Sequence, residues 1–220
     1  MSKKNISQEK IIQAFIASAF EKSAGGTSLA DISESLEIKK ASLYNHFSSR
    51  DEMYAAAVDF CGKEIRSVHY IQEKTIESVK NAKTSLTALF KRLTTRFFEL
   101  YENEPLFEMY VFISTEKYFN LNALKITEDE QEIFCDEIKQ ILQAFVAAEK
   151  IEKKNERELR EAASTLTAII FQQRDAYIAR RKETVRQNPE SGAGSLFALP
   201  TDENFLNKTL KLQEMFLKTL

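Results

Sequence analysis

The residues best suited to bind a charged ligand lie in one short window, residues 38–50. The window holds Lys39, Lys40 and Arg50 and no acidic residue, whereas the whole chain carries a formal charge of −2. Ser, Tyr, Asn and His side chains are interleaved with these cations. Lys and Arg pair with phosphate oxygens, and the polar side chains can bond to backbone oxygens or to base edges. The window therefore has the chemistry of a nucleic-acid contact surface.

A short helix over residues 40–47 would turn these polar side chains outward. Leu43 and Phe47 are spaced i, i+4, so a helix that buries both leaves the polar residues on its outer surface or edges. That outer set is Lys39, Lys40, Ser42, Tyr44, Asn45 and His46. From the spacing alone, a DNA-contacting face and an ordinary solvated helix face remain equally good interpretations.

Two predicted helices precede this segment and complete a small three-helix unit. Ser28 and Asp31 have the spacing of a capping box at the start of the second helix. Free backbone N–H groups there, at Thr27 and Ser28, suit one more phosphate. The unit is either a plain start to a helical bundle or a helix-turn-helix whose second helix enters the major groove.

The rest of the chain also favours helices. Gly and Pro number only 5 and 3, too few for a sheet-rich protein with many tight turns. A capping box at Ser49 and Glu52 predicts a long fourth helix reaching Val68, and Pro105 predicts a helix start. Residues 187–203 predict a loop. We expect an all-α fold, with an N-terminal three-helix helix-turn-helix unit and a larger C-terminal helical domain.

Several classes of protein find no support in the sequence. His46 and His69 are the only histidines, Cys61 and Cys135 stand alone, and no catalytic or phosphate-loop motif occurs. We therefore expect no enzyme, no metal site and no cofactor. The longest uncharged run, Ala162–Gln173, is shorter than the ~20 residues that span a bilayer. With no signal-peptide pattern at the start, we expect a cytoplasmic protein without a membrane partner.

The segment FEKSAGGTSLADISESLEIKKASLYNHFSSRDEMY, residues 20–54, resembles the N-terminal domain of TetR-family transcriptional regulators. The family's pattern runs from a Thr-rich helix start through an Ile-Ala pair to a Leu-Tyr-x-x-Phe signature, then a Lys and a Leu. The corresponding residues are Thr27-Ser28, Ile32-Ser33, Leu43-Tyr44-Asn45-His46-Phe47, Arg50 and Met53. The match covers about residues 5–60, and the remaining chain is similar to the family only in architecture.

The resemblance implies a role for each matched residue. Tyr44 and His46 correspond to phosphate contacts, Lys40, Ser42 and Asn45 to groove contacts, and Arg50 to the Lys of helix four that holds a phosphate. The expected DNA-binding set is Thr27, Ser28, Lys39, Lys40, Ser42, Tyr44, Asn45, His46 and Arg50. Residues 1–50 would form the DNA-binding domain (the family-type domain extends to about 64), and 51–220 the ligand-binding and dimerisation domain.

Three positions depart from the family's pattern. Glu37 stands where the family has a turn Gly, Lys39 where it has a capping Ser, and Ser33 where it has a small apolar residue. If Glu37 adopts a left-handed backbone conformation, it is strained by about 1–2 kcal/mol; otherwise the turn differs from the family's.

Aromatic residues are concentrated in the middle of the chain, where residues 90–134 hold ten of the 23. Each alone is best explained as core filling, but together they predict an apolar cavity of the kind that binds small molecules. The resemblance implies an inducer in this region. The predicted ligand-binding residues are Phe97, Tyr101, Phe107, Tyr110, Tyr118, Phe134, Phe171 and Arg174.

Two amphipathic segments, 156–185 and 203–219, either pack within the chain or bind a second copy. The second segment is apolar on adjoining rows, which would leave a patch that monomers rarely expose, and the resemblance implies a four-helix dimer interface. The expected interface residues are Leu166, Ile170, Tyr177, Phe205, Leu212 and Phe216.

The predicted function is that of a homodimeric, ligand-responsive DNA-binding regulator. We expect a repressor, released from a palindromic operator in double-stranded DNA by a small apolar or aromatic inducer. One alternative is a DNA-binding regulator that no small molecule gates. Another is a helical ligand-binding protein or enzyme that keeps the helix-turn-helix as a relic.

Overall fold

The structure, a computed structural model, describes residues 6–72, 74–81, 84–188 and 199–220. Within these ranges the chain is helical and contains no strand, which confirms the predicted all-α class. The helices are α1 Gln8–Lys22, α2 Leu29–Ser35, α3 Lys40–Leu43, α4 Arg50–Arg66, α5 Thr75–Lys80, α6 Leu86–Glu102, α7 Leu106–Glu116, α8 Leu121–Ala147, α9 Glu156–Gln187 and α10 Glu203–Leu217. Most of the predicted 187–203 loop lies outside the described residues.

The chain divides into two compact units. Unit 1 comprises Met1–Ser67 and Pro105–Glu128, and unit 2 comprises Val68–Glu104 and Asp129–Leu220. Helix α7 and the first two turns of α8 thus belong with the N-terminal helices, which the sequence did not indicate. The predicted boundary after residue 50 separates the three-helix unit from the rest of the chain, and it stays a prediction.

The core of unit 1 is built from α1, α4 and α7. The rings of Phe15, Tyr54 and Phe112, one from each helix, meet edge to face with centroids 6.1–6.3 Å apart. Leu43 and Phe47 are buried in the same core. We call residues 40–47 the recognition segment. Its predicted inward side is therefore anchored to the core of unit 1.

Local capping signals fix where several helices begin. The Ser28–Asp31 capping box is present in full, as predicted. At α4 the Ser49 hydroxyl accepts the Glu52 N–H, but the Glu52 carboxylate accepts the N–H and hydroxyl of Ser48 at 2.6 Å. The second predicted capping box is therefore only half formed.

The recognition helix is shorter than the sequence predicted. We expected a helix over 40–47, but α3 ends at Leu43. Beyond it the N–H groups of Asn45 and His46 bond carbonyls three residues back, at 3.3 and 3.0 Å, in the tighter geometry typical of helix ends. The prediction of a helix through residue 47 is wrong, although Phe47 is still buried.

Helix α4 also ends earlier than predicted, at Arg66 rather than Val68, and α5 was not predicted. With six residues, α5 is too short to show a helical period. Helix α7 begins as predicted, with Pro105 at its N-cap.

Unit 2 packs α6, α9 and α10 against one another. The Tyr177 ring on α9 has centroid distances of 5.3 Å to Phe98 on α6 and 5.4 Å to Phe205 on α10. The apolar faces of the two amphipathic C-terminal segments are thus largely covered by their own chain.

Candidate nucleic-acid interface

The recognition segment has the predicted two-sided character. Leu43 and Phe47 are buried. Lys39, Lys40, Tyr44 and Asn45 are exposed, and Ser42 and His46 are half-buried at the edges. The outer side of α3 therefore presents two cations and several hydrogen-bonding groups to solvent.

In the turn before α3, Glu37 adopts the left-handed backbone conformation, which is the strained one of the two alternatives. Glu37 has φ 54°, and the Ile38 N–H donates to the Ser33 carbonyl at 2.9 Å, across five residues. This is the left-handed termination that Gly usually provides, so Glu37 carries about 1–2 kcal/mol of strain. Lys39 makes no side-chain hydrogen bond at the start of α3, so the capping Ser of the family has no substitute here.

The start of α2 is less open to phosphate than the sequence indicated. The Thr27 side chain is only 2% exposed, and its hydroxyl donates to the Ser23 carbonyl at 2.9 Å. The Asp31 carboxylate accepts the Ser28 N–H at 2.8 Å and pairs with Lys22 at 2.5 Å. Hydrogen bonds from Lys22 and Ser28 lower the pKa of Asp31 to about 2. An anion therefore already occupies this helix start.

Arg50 points into unit 1, at the turn between α1 and α2. Its Nε donates to the Thr27 carbonyl at 2.9 Å and its Nη2 to the Ala24 carbonyl. Its guanidinium carbon lies 5.6 Å from the centroid of the Phe15 ring. The side chain expected to hold a phosphate is engaged with the protein's own backbone.

Gln8 is a site residue that sequence reasoning missed. Its side-chain amide donates to the His46 carbonyl at 2.9 Å and so ties the start of α1 to the end of the recognition segment. The two residues are 38 positions apart, and a lone Gln at a helix start carries no signal of such a bond.

Five of the predicted ligand-binding residues lie together in unit 2. The Phe134 ring has centroid distances of 4.8 Å to Phe97 and 4.9 Å to Phe171, and the Tyr101 ring lies 5.0 Å from Phe97. The sequence missed Tyr70, whose ring is 4.3 Å from Phe134. These rings touch one another directly, so a ligand among them would have to move them apart.

Arg174 lies in the same cluster with a carboxylate that the sequence did not single out. Arg174 and Glu130 are 1% and 5% exposed, and Nη1 of the arginine is 2.5 Å from the carboxylate. The Tyr101 hydroxyl donates to the same carboxylate oxygen. The guanidinium carbon is 4.1 and 4.6 Å from the centroids of the Phe171 and Tyr101 rings.

The other three predicted ligand residues do not join this cluster. Phe107 and Tyr110 belong to unit 1, where the Phe107 ring packs 5.2 Å from Phe20. Tyr118 is 77% exposed, so its assignment to an enclosed ligand site gains no support and stays a prediction. An aromatic count along the chain cannot separate residues that fold into different units.

Two grooves in unit 2 lie away from the cluster. One of about 500 Å³ runs between α6 and α10, past Lys91, Lys208 and Lys211. Another of about 230 Å³ is lined by residues that include Arg180 and Pro200. The sequence indicated neither groove.

The predicted dimer contacts fall into two groups. Leu166, Ile170, Tyr177 and Phe205 are buried by their own chain, which favours packing within the chain, and their place in a dimer interface stays a prediction. Their apolar spacing fits packing of α9 against α6 and α10. Leu212 is exposed and Phe216 half-buried, and the neighbouring Met215 is 68% exposed.

Two features are absent from the described residues. None of the helices found there combines the length and apolar character needed to cross a membrane. In the same ranges no group of three or more His, Cys, Asp or Glu side chains has the arrangement of a metal site.

An N-terminal helix-turn-helix with a cationic outer face, followed by a larger helical domain, is the arrangement expected of a DNA-binding regulator of transcription. The family model "Bacterial regulatory proteins, tetR family" matches residues 11–57. The biofilm operon icaADBC HTH-type negative transcriptional regulator IcaR of Staphylococcus aureus (strain Newman) is 32% identical over 132 residues, 60% of this chain and 67% of that protein. The chain belongs to the TetR family of DNA-binding transcriptional regulators.

Two other comparisons concern a second relative and the fold. IcaR of Staphylococcus epidermidis is 46% identical over 54 residues, 24% of this chain and 29% of that protein. The crystal structure of a TetR transcription regulator from Haloarcula marismortui has a TM-score of 0.59 at 11% identity and covers 97% of each chain. At that identity the likeness supports the fold alone.

Proposed function

We propose that this protein is a homodimeric repressor that binds a palindromic operator through the outer side of α3 and leaves it when a small molecule binds. The observation that carries the proposal is the two-sided recognition segment. Leu43 is buried, while Lys39, Lys40, Tyr44 and Asn45 are exposed in a window without acids. Repression is supported by the S. aureus relative, which is named a negative transcriptional regulator.

Within this proposal, residues 1–50 contact DNA and 51–220 carry the ligand and dimer contacts. The contact residues lie at the N-cap of α3, within α3 and in the turn after it: Lys39, Lys40, Ser42, Tyr44, Asn45 and His46. Ser28 and the backbone of Thr27 add a contact at the start of α2. That contact is weaker than a free helix start would give, because the Asp31 carboxylate repels phosphate.

The experiment compares Lys40→Ala with Leu43→Ala on a duplex that the wild-type protein selects from a random-sequence library. Because Lys40 is exposed, its loss should leave the free energy of unfolding within about 0.5 kcal/mol of wild type. Affinity for the duplex should fall. If Lys40 contacts a phosphate, the slope of log affinity against log salt falls by ~1 per contact.

The controls separate binding from folding. Leu43→Ala should cost about 2–5 kcal/mol of stability through a core cavity. Lys63→Ala removes an exposed lysine of α4 outside the window and should change neither stability nor affinity. Wild-type affinity and salt slope in the folded Lys40→Ala protein would mean that α3 does not face DNA.

Two recognition segments related by a two-fold axis would read half-sites about 34–36 Å apart or somewhat more.

For the dimer interface we propose the outer side of α10, where Leu212, Met215 and Phe216 remain at least partly exposed. Met215→Glu should yield monomers in sedimentation experiments, and deletion after Pro200 should yield monomers or aggregates. Lys63→Glu is the charge control. A well-behaved dimer of either the Met215→Glu or the truncated protein would refute this interface.

We propose that the inducer binds in unit 2, at a cluster of side chains that combines apolar rings with few polar groups. The cluster consists of Phe97, Phe134, Phe171, Tyr101 and Arg174. A bound compound should stabilise the fold by about 2.7 kcal/mol at a hundred times its dissociation constant. It should weaken DNA affinity, and DNA should weaken the compound equally. Thermal shift against a compound library finds candidates. A compound that stabilises the protein without changing DNA affinity would favour a regulator that is not gated.

A further inference from the structure

Arg50 joins the two ends of the helix-turn-helix. It is the first residue of α4, and its side chain bonds the carbonyls of Thr27 and Ala24, which lie 23 and 26 positions earlier. Helix α2, the turn at Glu37 and helix α3 all lie between the bonded positions. One side chain thus closes a loop around the whole recognition element.

The enclosed elements need such a constraint. Helix α2 has seven residues and α3 has four, and helices of this length do not persist without tertiary contacts. The turn between them contains Glu37 in a left-handed conformation, and α3 begins without a side-chain cap. Local sequence alone therefore holds the relative orientation of α2 and α3 weakly.

We propose that Arg50 is a positioning residue for DNA recognition: it fixes the α1–α2 turn to the start of α4 and so sets the orientation of α2 and α3. It does so instead of contacting a phosphate. This inference rests on the proposed DNA-binding face, but it assigns Arg50 a role that its resemblance to the family's phosphate-binding Lys does not.

The guanidinium suits this role better than an ammonium group. Its planar fork donates from Nε and Nη2 to two separate carbonyls while its face lies near the Phe15 ring. A lysine ammonium is a compact, strongly hydrated charge that cannot reproduce this geometry. Ala24 and Thr27 are both buried. The Ala24 carbonyl also accepts the Thr27 N–H at 3.3 Å, so loss of Arg50 takes one of two donors from Ala24 and the side-chain donor from Thr27, which water replaces poorly.

The test measures affinity against salt for Arg50→Lys and Arg50→Gln on the duplex selected by the wild-type protein. If Arg50 positions the recognition element, both variants bind about tenfold more weakly or worse, since hydrogen bonds to charged groups are lost. Their log–log salt slopes remain equal to that of wild type. A direct phosphate contact would instead lower the slope of Arg50→Gln by ~1 per protomer, and Arg50→Lys would keep both slope and affinity. That pattern overturns the proposal.

A merely stabilising role is also distinguishable. Binding is measured at a temperature where circular dichroism shows each variant to be folded. Wild-type affinity in a folded but less stable Arg50→Lys protein would refute positioning. Lys40→Ala is measured in parallel. If Lys40→Ala changes neither affinity nor slope, the proposed face of α3 fails and the role of Arg50 in DNA recognition fails with it. If Lys40→Ala weakens binding while the folded Arg50 variants bind as wild type does, only the role of Arg50 fails.

A measurement on the wild-type protein covers the case in which the variants do not fold. The Arg50 Nε–H should be protected from solvent exchange in nitrogen-15 NMR spectra of the free protein. The same resonance should stay unshifted and protected in the complex with the selected duplex. Coupling of this group to phosphorus in the complex, or rapid exchange in the free protein, would overturn the proposal.

Discussion

The buried ion pair of unit 2 allows a sharp test of the reasoning about its core. Glu130 on α8 and Arg174 on α9 are both almost fully buried, with 2.5 Å between Nη1 and the carboxylate. We compare Arg174→Met, Glu130→Gln and the double variant Glu130→Leu/Arg174→Met. Arg174→Met removes the cation that faces the Glu130 carboxylate, Glu130→Gln leaves Arg174 with the partly exposed Asp175 at 3.4 Å as its anionic partner, and the double change removes both buried charges.

The expected magnitudes follow from desolvation. Removing one partner of a buried pair costs about 3–5 kcal/mol, because the other charge stays buried without compensation. In Arg174→Met the Tyr101 hydroxyl still donates to the carboxylate, which places this variant at the lower end of the range. Replacing both partners by apolar groups of similar volume is often neutral or stabilising. We therefore expect the double variant to be more stable than either single variant.

The assay is urea unfolding of all four proteins at one protein concentration, since association shifts apparent stability. Midpoints are compared at constant m-value, because a changed m-value means a changed unfolded state or a broken two-state transition. Additive losses, with the double variant near the sum of the singles, would refute the view that the two charges depend on each other. Losses below about 1 kcal/mol in both single variants would mean that water reaches the pair and that it is not buried in solution.

Two further predictions concern unit 1. Glu37→Gly removes the strain of a left-handed Glu and should raise stability by about 1 kcal/mol, seen as a higher melting temperature; an unchanged or lower value would contradict φ 54° at this position. Because the folded pKa of Asp31 is depressed to about 2 from 3.8, its stabilising effect is present above pH ~4 and is lost as the pH falls towards 2. Asp31→Asn should therefore flatten acid unfolding in that window, and the same acid response in both proteins would contradict the Lys22 and Ser28 bonds.

Signals that act over three or four residues predicted structure well. The capping box at Ser28 and Asp31, the helix start after Pro105 and the burial of Leu43 and Phe47 are all present. Each depends on backbone groups or on one helix face close in sequence. The strained turn at Glu37 was predictable in the same way, as one of two stated alternatives.

Contacts between residues that lie far apart in the sequence could not be predicted from local patterns. An amphipathic stripe identifies a face to be buried but not the element that buries it, so the stripe alone could not decide whether Leu166 and Ile170 face their own chain or a second copy. Glu130 and Arg174 are 44 residues apart, and nothing local distinguishes this Glu from its acidic neighbours on α8. The bonds of Arg50 end on backbone carbonyls, which no residue type at positions 24 and 27 can indicate.

The hydrogen bonds of Arg50 offset the energetic cost of two departures from the family's pattern around α3, Glu37 and Lys39. Strain at Glu37 costs about 1–2 kcal/mol, and the missing side-chain cap at Lys39 costs about 1 kcal/mol more. Arg50 makes two hydrogen bonds from a charged group, each of which contributes about 1.5–3 kcal/mol. The gain of about 3–6 kcal/mol covers the loss of about 2–3 kcal/mol. The recognition element thus keeps its fold without the turn glycine and capping serine because a tertiary bond replaces what the local sequence lacks.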